Sequence, residues 1–189
     1  MKTLISTIAI TALALTVALP VSAQQKRMSP HETIYARIGS RANRDLVNIT
    51  YGRPYTVKPG TTEVRKIWGD LVPWGEPWRM GADEATVLMT QKPIEIGGKT
   101  IPPGAYTLYM MPRENAPSQL VFSSTLGGWG IPVDTGHDVA RVDLEKTVLD
   151  KPVDQFTMAI AKNPKDPAGG IIKLSWETTE FSVPFTVQK

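Results

Sequence analysis

The chain of 189 residues contains no cysteine. Disulfides, thiolate metal sites and cysteine nucleophiles are therefore excluded. It also falls outside the disulfide-dense extracellular modules. Only two histidines occur, His31 and His137, far apart and in no H-E-x-x-H-like spacing, so no metal site is expected. There is no G-x-S-x-G elbow, and Ser29, Ser123 and Ser124 read as ordinary turn or strand serines. Gly97-Gly98-Lys99 and Gly127-Gly128-Trp129-Gly130 lack the G-K-[ST] ending and helical setting of a phosphate loop. No cofactor and no catalytic residue set is expected. Lys and Arg (21) nearly balance Asp and Glu (18) without a basic run, so nucleic acid is not an expected partner. No stretch carries a sustained helical period.

One long apolar run exists, at the very start. Lys2 supplies a positive end, Leu4 to Leu19 an apolar stretch, and Val21-Ser22-Ala23 a small-residue cleavage site. This is the pattern of a signal peptide, with cleavage expected before Gln24. The run is short for a membrane anchor, so no stable membrane insertion is expected after processing. No cysteine follows the site to carry a lipid. The expected location is periplasmic or secreted, in a bacterium. Residues 24–31 read as a loose N-terminal lead and 32–189 as a single β domain.

Period-2 alternation recurs along the mature chain. Glu32 to Ile38 and Asp45 to Tyr51 read as strands around a Gly- and Asn-containing turn, with Val47, Ile49 and Tyr51 on the buried face. Glu84 to Thr90, Pro93 to Ile96, Lys99 to Ile101 and Ala105 to Met111 follow, with Gly97-Gly98 as a tight hairpin turn. Gln119 to Ser123 and Ala140 to Leu144 come next, then a connection from Glu145 to Pro152. Val153 to Ala161 is expected to bury Phe156, Met158 and Ile160. Ile171 to Trp176 and Glu180 to Val187 read as a terminal hairpin around Thr178-Thr179, and Pro184 suggests an edge or a bulge. The expectation is an all-β sandwich or partly open barrel of about ten short, mostly antiparallel strands.

The densest chemistry lies between Tyr51 and Thr86. It holds Trp68, Trp74 and Trp78, Arg53 and Arg79 beside aromatics, and the pair Asp83-Glu84. Interleaved Gly and Pro predict a rigid, folded-back loop system. Two readings stand. The tryptophans plug one end of the β core, or Trp78, Arg79, Asp83 and Glu84 line a polar pocket. Asp83 suits a turn-capping role, and Glu84 suits a pairing with Arg79 or Arg53. The candidate ligand-binding residues are Tyr51, Arg53, Trp68, Trp78, Arg79, Asp83 and Glu84. An Arg fork beside an aromatic ring suits a carboxylate or a sugar, so a small polar or carbohydrate ligand is the expected partner.

Several blocks together carry a resemblance. They are Tyr51-Gly52-Arg53-Pro54, Ile67-Trp68-Gly69, Leu71-Val72-Pro73, and Trp78-Arg79-x-Gly81-Ala82-Asp83-Glu84-Ala85-Thr86. Pro103-Gly104-x-Tyr106-Thr107-Leu108, Trp129-Gly130 and Asp138-x-x-Arg141-Val142 continue the series. In these the mature chain resembles the bacterial exported family catalogued as domain of unknown function 2911. It carries Asp83 where the family pattern usually has Asn, and a longer stretch from Thr56 to Lys66. The resemblance implies a compact exported β domain and brings no activity with it. Three functions stay open: a ligand-binding or accessory module, a hydrolase on a carbohydrate or cell-envelope substrate, and a protein-interaction domain pairing through an edge near Phe181 to Val187.

Overall fold

A computed structural model describes residues 28–39 and 44–189. The expected signal peptide, its cleavage site, residues 24–27 of the lead and the tip of the first turn lie outside the described residues. The described residues form ten strands: β1 (His31–Gly39), β2 (Arg44–Gly52), β3 (Thr86–Thr90), β4 (Ile94–Ile96), β5 (Lys99–Ile101), β6 (Gly104–Met111), β7 (Gln119–Ser123), β8 (Asp138–Asp143), β9 (Glu145–Lys162) and β10 (Gly169–Val187). They form a six-stranded sheet, β1-β2-β3-β6-β7-β8, and a four-stranded sheet, β5-β4-β10-β9. Every strand pair is antiparallel, and the two sheets do not close into a barrel. The architecture is an all-β sandwich.

Alternation explains the core. Val47, Ile49 and Tyr51 of β2, with Tyr106, Leu108 and Met110 of β6, are buried facing Phe156 and Met158 of β9 and Ile172, Leu174 and Trp176 of β10. A sheet face with a period of two presents one apolar row, which a second sheet packed face to face covers. The turn at Gly97-Gly98 forms as expected, with φ of 54° and 71° at the two glycines. Such left-handed pairs match the twist of a two-residue hairpin.

Two segments differ from expectation. Glu145 to Pro152 is strand, not connection, and belongs to the 18-residue β9. Thr178-Thr179 is not a hairpin turn. β10 runs through it as one 19-residue strand, pairing Thr179 with Val148 and Ser182 with Glu145. The polar pair marks a bulge instead: the register shifts on either side of Glu177, whose φ is 51°. A bulge bends and twists a strand without ending it. Along Phe181 to Val187 the strand neighbour changes, from β9 as far as Ser182 to β4 from Phe185. Pro184 sits where β9 has ended, after the Ser182–Glu145 pair and before the Phe185–Ile96 pair, so its missing N–H interrupts no ladder.

Candidate functional site

The chain from β2 to β3 passes between the sheets and ties them together. Arg53 leaves the end of β2 and reaches β9. Its Nε donates to Phe156 O at 3.3 Å, its Nη2 to Thr157 Oγ1 at 2.9 Å, and its Nη1 meets Glu32 Oε2 at 3.2 Å. Tyr51 does similar work. Its hydroxyl donates to Glu32 Oε2 at 2.8 Å and accepts from Met158 N at 2.9 Å. Burial, reinforced by Glu32, pushes the Tyr51 phenol up to about 12. Tyr55 then bridges Gln155, covering part of the β9 edge. The long stretch after it folds on itself, with Val57 bridging Val64 and Lys58 N donating to Glu63 O at 2.8 Å.

Trp68, Trp74, Trp78 and Trp176 form one aromatic cluster. Trp78 pairs its backbone with Met110 of β6, while its ring stacks on Trp176 of β10 at 5.9 Å and meets Phe156 of β9 edge-on at 5.1 Å. One residue thus joins both sheets. Trp68 meets Trp78 at 5.9 Å and Phe181 at 5.1 Å, and Trp74 stacks on Trp68. Edge-to-face and offset rings of this kind contribute about 0.5–1.5 kcal/mol a pair beyond their buried area.

Between the Trp78 bridge and β3 the chain makes a short detour, Arg79 to Ala85. Met80 and Asp83 both adopt positive φ there, 56° and 64°. Asp tolerates this conformation well, as Asn does, and Met poorly. The detour is pressed onto the end of β2: a Cβ on Gly52 would lie 2.0 Å from Ala82 O, and one on Gly81 2.8 Å from Gly52 O. Only glycine permits that approach. Thr86 Oγ1 fastens the detour by donating to Met80 O at 2.7 Å.

Here the charged residues separate. Arg79 makes no carboxylate pair among the described residues. Its Nη1 donates to Asp83 O at 2.7 Å and Trp129 O at 2.9 Å, and its guanidinium lies 5.6 Å from the Trp129 ring. Burial lowers its pKa, while Asp83 and Glu84 act in the opposite direction. Glu84 does not pair with Arg79 or Arg53; its Oε2 lies 2.9 Å from His31 Nε2. His31 is thereby a half-buried strand residue tied to the site rather than an ordinary surface histidine.

A cavity of about 590 Å³ opens beside this detour, bordered by Trp78, Arg79, Asp83 and Trp176. Tyr51, Arg53, Trp68 and Glu84 lie outside its wall and act behind it. Two polar atoms of the wall residues are buried without a hydrogen-bond partner, Asp83 Oδ2 and Trp176 Nε1. Ser29 and Met28 also border it, so the end of the expected loose lead is part of the site; Pro30 O accepts from Arg53 N at 2.8 Å. Trp176 was legible in the sequence as a strand residue but not as cavity wall, because nothing in a strand pattern says which ring meets a loop. Among the described residues no three His, Asp or Glu side chains converge as a metal set.

Residues 29–185 match the family described as "Protein of unknown function (DUF2911)". The chain belongs to this family. The Trp78 to Thr86 block on which the resemblance chiefly rests is thus the detour itself, with Gly81 at its closest approach and Asp83 at its left-handed turn. Asn, which the resemblance leads one to expect at that position, satisfies the same backbone requirement. No curated protein and no solved structure matches the chain.

Proposed function

We propose that this protein is an exported binding module that holds a small neutral polyhydroxyl molecule, of the carbohydrate class, in the cavity beside Asp83. The observation that carries the reading is the pairing of that cavity with two buried, unpartnered polar groups of opposite kind, the Asp83 carboxylate oxygen and the Trp176 indole N–H. A buried polar group without a partner is unfavourable by about 1–3 kcal/mol, so a guest that recruits Asp83 by a small turn of its side chain recovers that loss. Trp78 supplies an aromatic surface for the apolar face of a sugar ring. The charges at the wall offset one another, Arg65 and Arg79 against Glu76 and Asp83, and Arg65 is already held by Thr56 O and Tyr55 O. That balance favours a neutral guest over a carboxylate. Prolines 54, 73, 77 and 132 border the same space, and their fixed φ keeps it preformed.

A hydrolytic reading finds less support. Glu84, the acid adjacent to Asp83, is engaged by His31 outside the cavity. Isothermal titration of the mature protein with a panel of neutral mono- and disaccharides, and with simple carboxylic acids for comparison, tests the proposal. At least one sugar binds, and Asp83→Asn weakens it by roughly tenfold, the value of one hydrogen bond to a charged acceptor, with the fold intact. Binding by carboxylic acids alone, or sugar binding indifferent to Asp83→Asn, contradicts it.

A further inference from the structure

A second cavity, of about 240 Å³, lies across Arg79 from the first, on the outer face of the six-stranded sheet. Its floor is β6 and β7, where Thr107, Tyr109 and Ser123 point away from the main core. Tyr109 and Val121 are fully buried on this face although they belong to no part of that core. What covers the face is the connection from β7 to β8, folded back over the strands.

This roof is held in place at its centre. Trp129 O accepts from Arg79 Nη1 at 2.9 Å, and Gly128 O accepts from Ala85 N at 3.3 Å. Gly130, at φ 74°, brings the roof into contact: a Cβ there would lie 3.1 Å from Ala85 Cα and 3.2 Å from Arg79 Cβ. The space beneath is therefore preformed rather than a gap awaiting collapse.

The polar groups around it are nearly all engaged. Asp134 accepts from Thr125 Oγ1 and Gly136 N and meets His137 Nδ1, each at 2.8 Å. The Tyr109 hydroxyl donates to Asp138, at 2.7 Å from Oδ1, and Arg141 holds that carboxylate from the other side. Arg79 is committed to carbonyls and the Trp129 ring. One exception stands out: Thr107 Oγ1 is buried and makes no hydrogen bond. Nothing is lost when that hydroxyl turns toward a guest.

We propose that this cavity is a second binding site, distinct from the one beside Asp83, for an uncharged and largely apolar molecule of about one ring carrying a single hydrogen-bonding group, such as a phenol. An apolar cavity of about 150 Å³ admits benzene, so 240 Å³ accommodates one substituted ring. The committed charges leave nothing to neutralise an ionic guest, and burying an unpaired charge is strongly unfavourable. Thr107 supplies the one polar contact.

The test is calorimetric titration of the full chain with phenol, alongside benzoate, which has a similar ring and a charge. Phenol binds saturably in the millimolar range, and benzoate binds at least tenfold more weakly. Thr107→Val, which keeps the shape and removes the hydroxyl, weakens phenol by roughly fivefold to tenfold and leaves the melting temperature unchanged or raised. Gly130→Val, which forces the roof away from Ala85, weakens phenol as well. Absence of saturable phenol binding, equal binding of benzoate, or a Thr107→Val variant that binds phenol as tightly as the parent overturns the proposal.

Discussion

Tyr51 holds its phenol between two sheets, giving a hydrogen bond to Glu32 and taking one from Met158. With the folded group raised to about 12 from an ordinary value of 10.0, the unfolded chain loses this proton first. The linked stability is whole below pH 10 and disappears as pH rises toward 12, a change on the order of 2–3 kcal/mol. Denaturant titrations across that range should show the decline, and Tyr51→Phe should flatten it while lowering stability at neutral pH by about 1–3 kcal/mol through the unpaired Met158 N–H. Tyr109, raised in the same direction by burial and by Asp138, adds to the alkaline loss. Asp83 makes a conformational prediction. Asn retains its left-handed backbone, so Asp83→Asn keeps the fold's stability within about 0.5 kcal/mol. Asp83→Ala loses about 1 kcal/mol or more, because alanine is strained there. Chemical denaturation distinguishes the two. The importance of this stretch was legible because Trp, Arg and paired acids crowd it. The partner of Glu84 was not, since Arg79 is near in sequence and His31 is brought in only by β1.

The strands show the same division between local pattern and distant pairing. Alternation identified the buried rows of β2 and of the second half of β9 because each has one drier and one wetter face; it could not choose a row in β6, where Tyr109 is buried on the outer face as well. It failed in the first half of β9, where residues 145–152 are nearly all exposed. An edge segment wet on both faces has no period to read, and Pro152 is tolerated there for the same reason. It failed again at Thr178-Thr179, where polar residues mark a bend inside β10 rather than its end. The long β10 predicts a short distance between backbone protons of Thr179 and Val148 in nuclear Overhauser spectra. A hairpin turn at Thr178-Thr179 would give cross-peaks between Ser175 or Trp176 and the residues after Glu180 instead.

At the scale of the molecule, the link between β2 and β3 acts as the seam of the sandwich. Trp78 hydrogen-bonds to one sheet and stacks on the other, and Arg53 and Tyr51 cross the same gap. Trp78→Ala is therefore expected to destabilise the protein by about 3–5 kcal/mol, with a correspondingly lower denaturation midpoint. A seam built from committed side chains leaves few groups to bind anything, which is why the unpartnered atoms at Asp83 and Trp176 mark the cavity so clearly. The carbohydrate site proposed above lies beside that seam. The most direct test is an NMR titration of residues 24–189 with neutral sugars, following the indole N–H signals of the tryptophans. A bound sugar should move Trp78 and Trp176 together with the Asp83 amide and leave Trp129 in place. A panel that moves none of them, or a sugar that shifts only residues away from this cavity, contradicts the account.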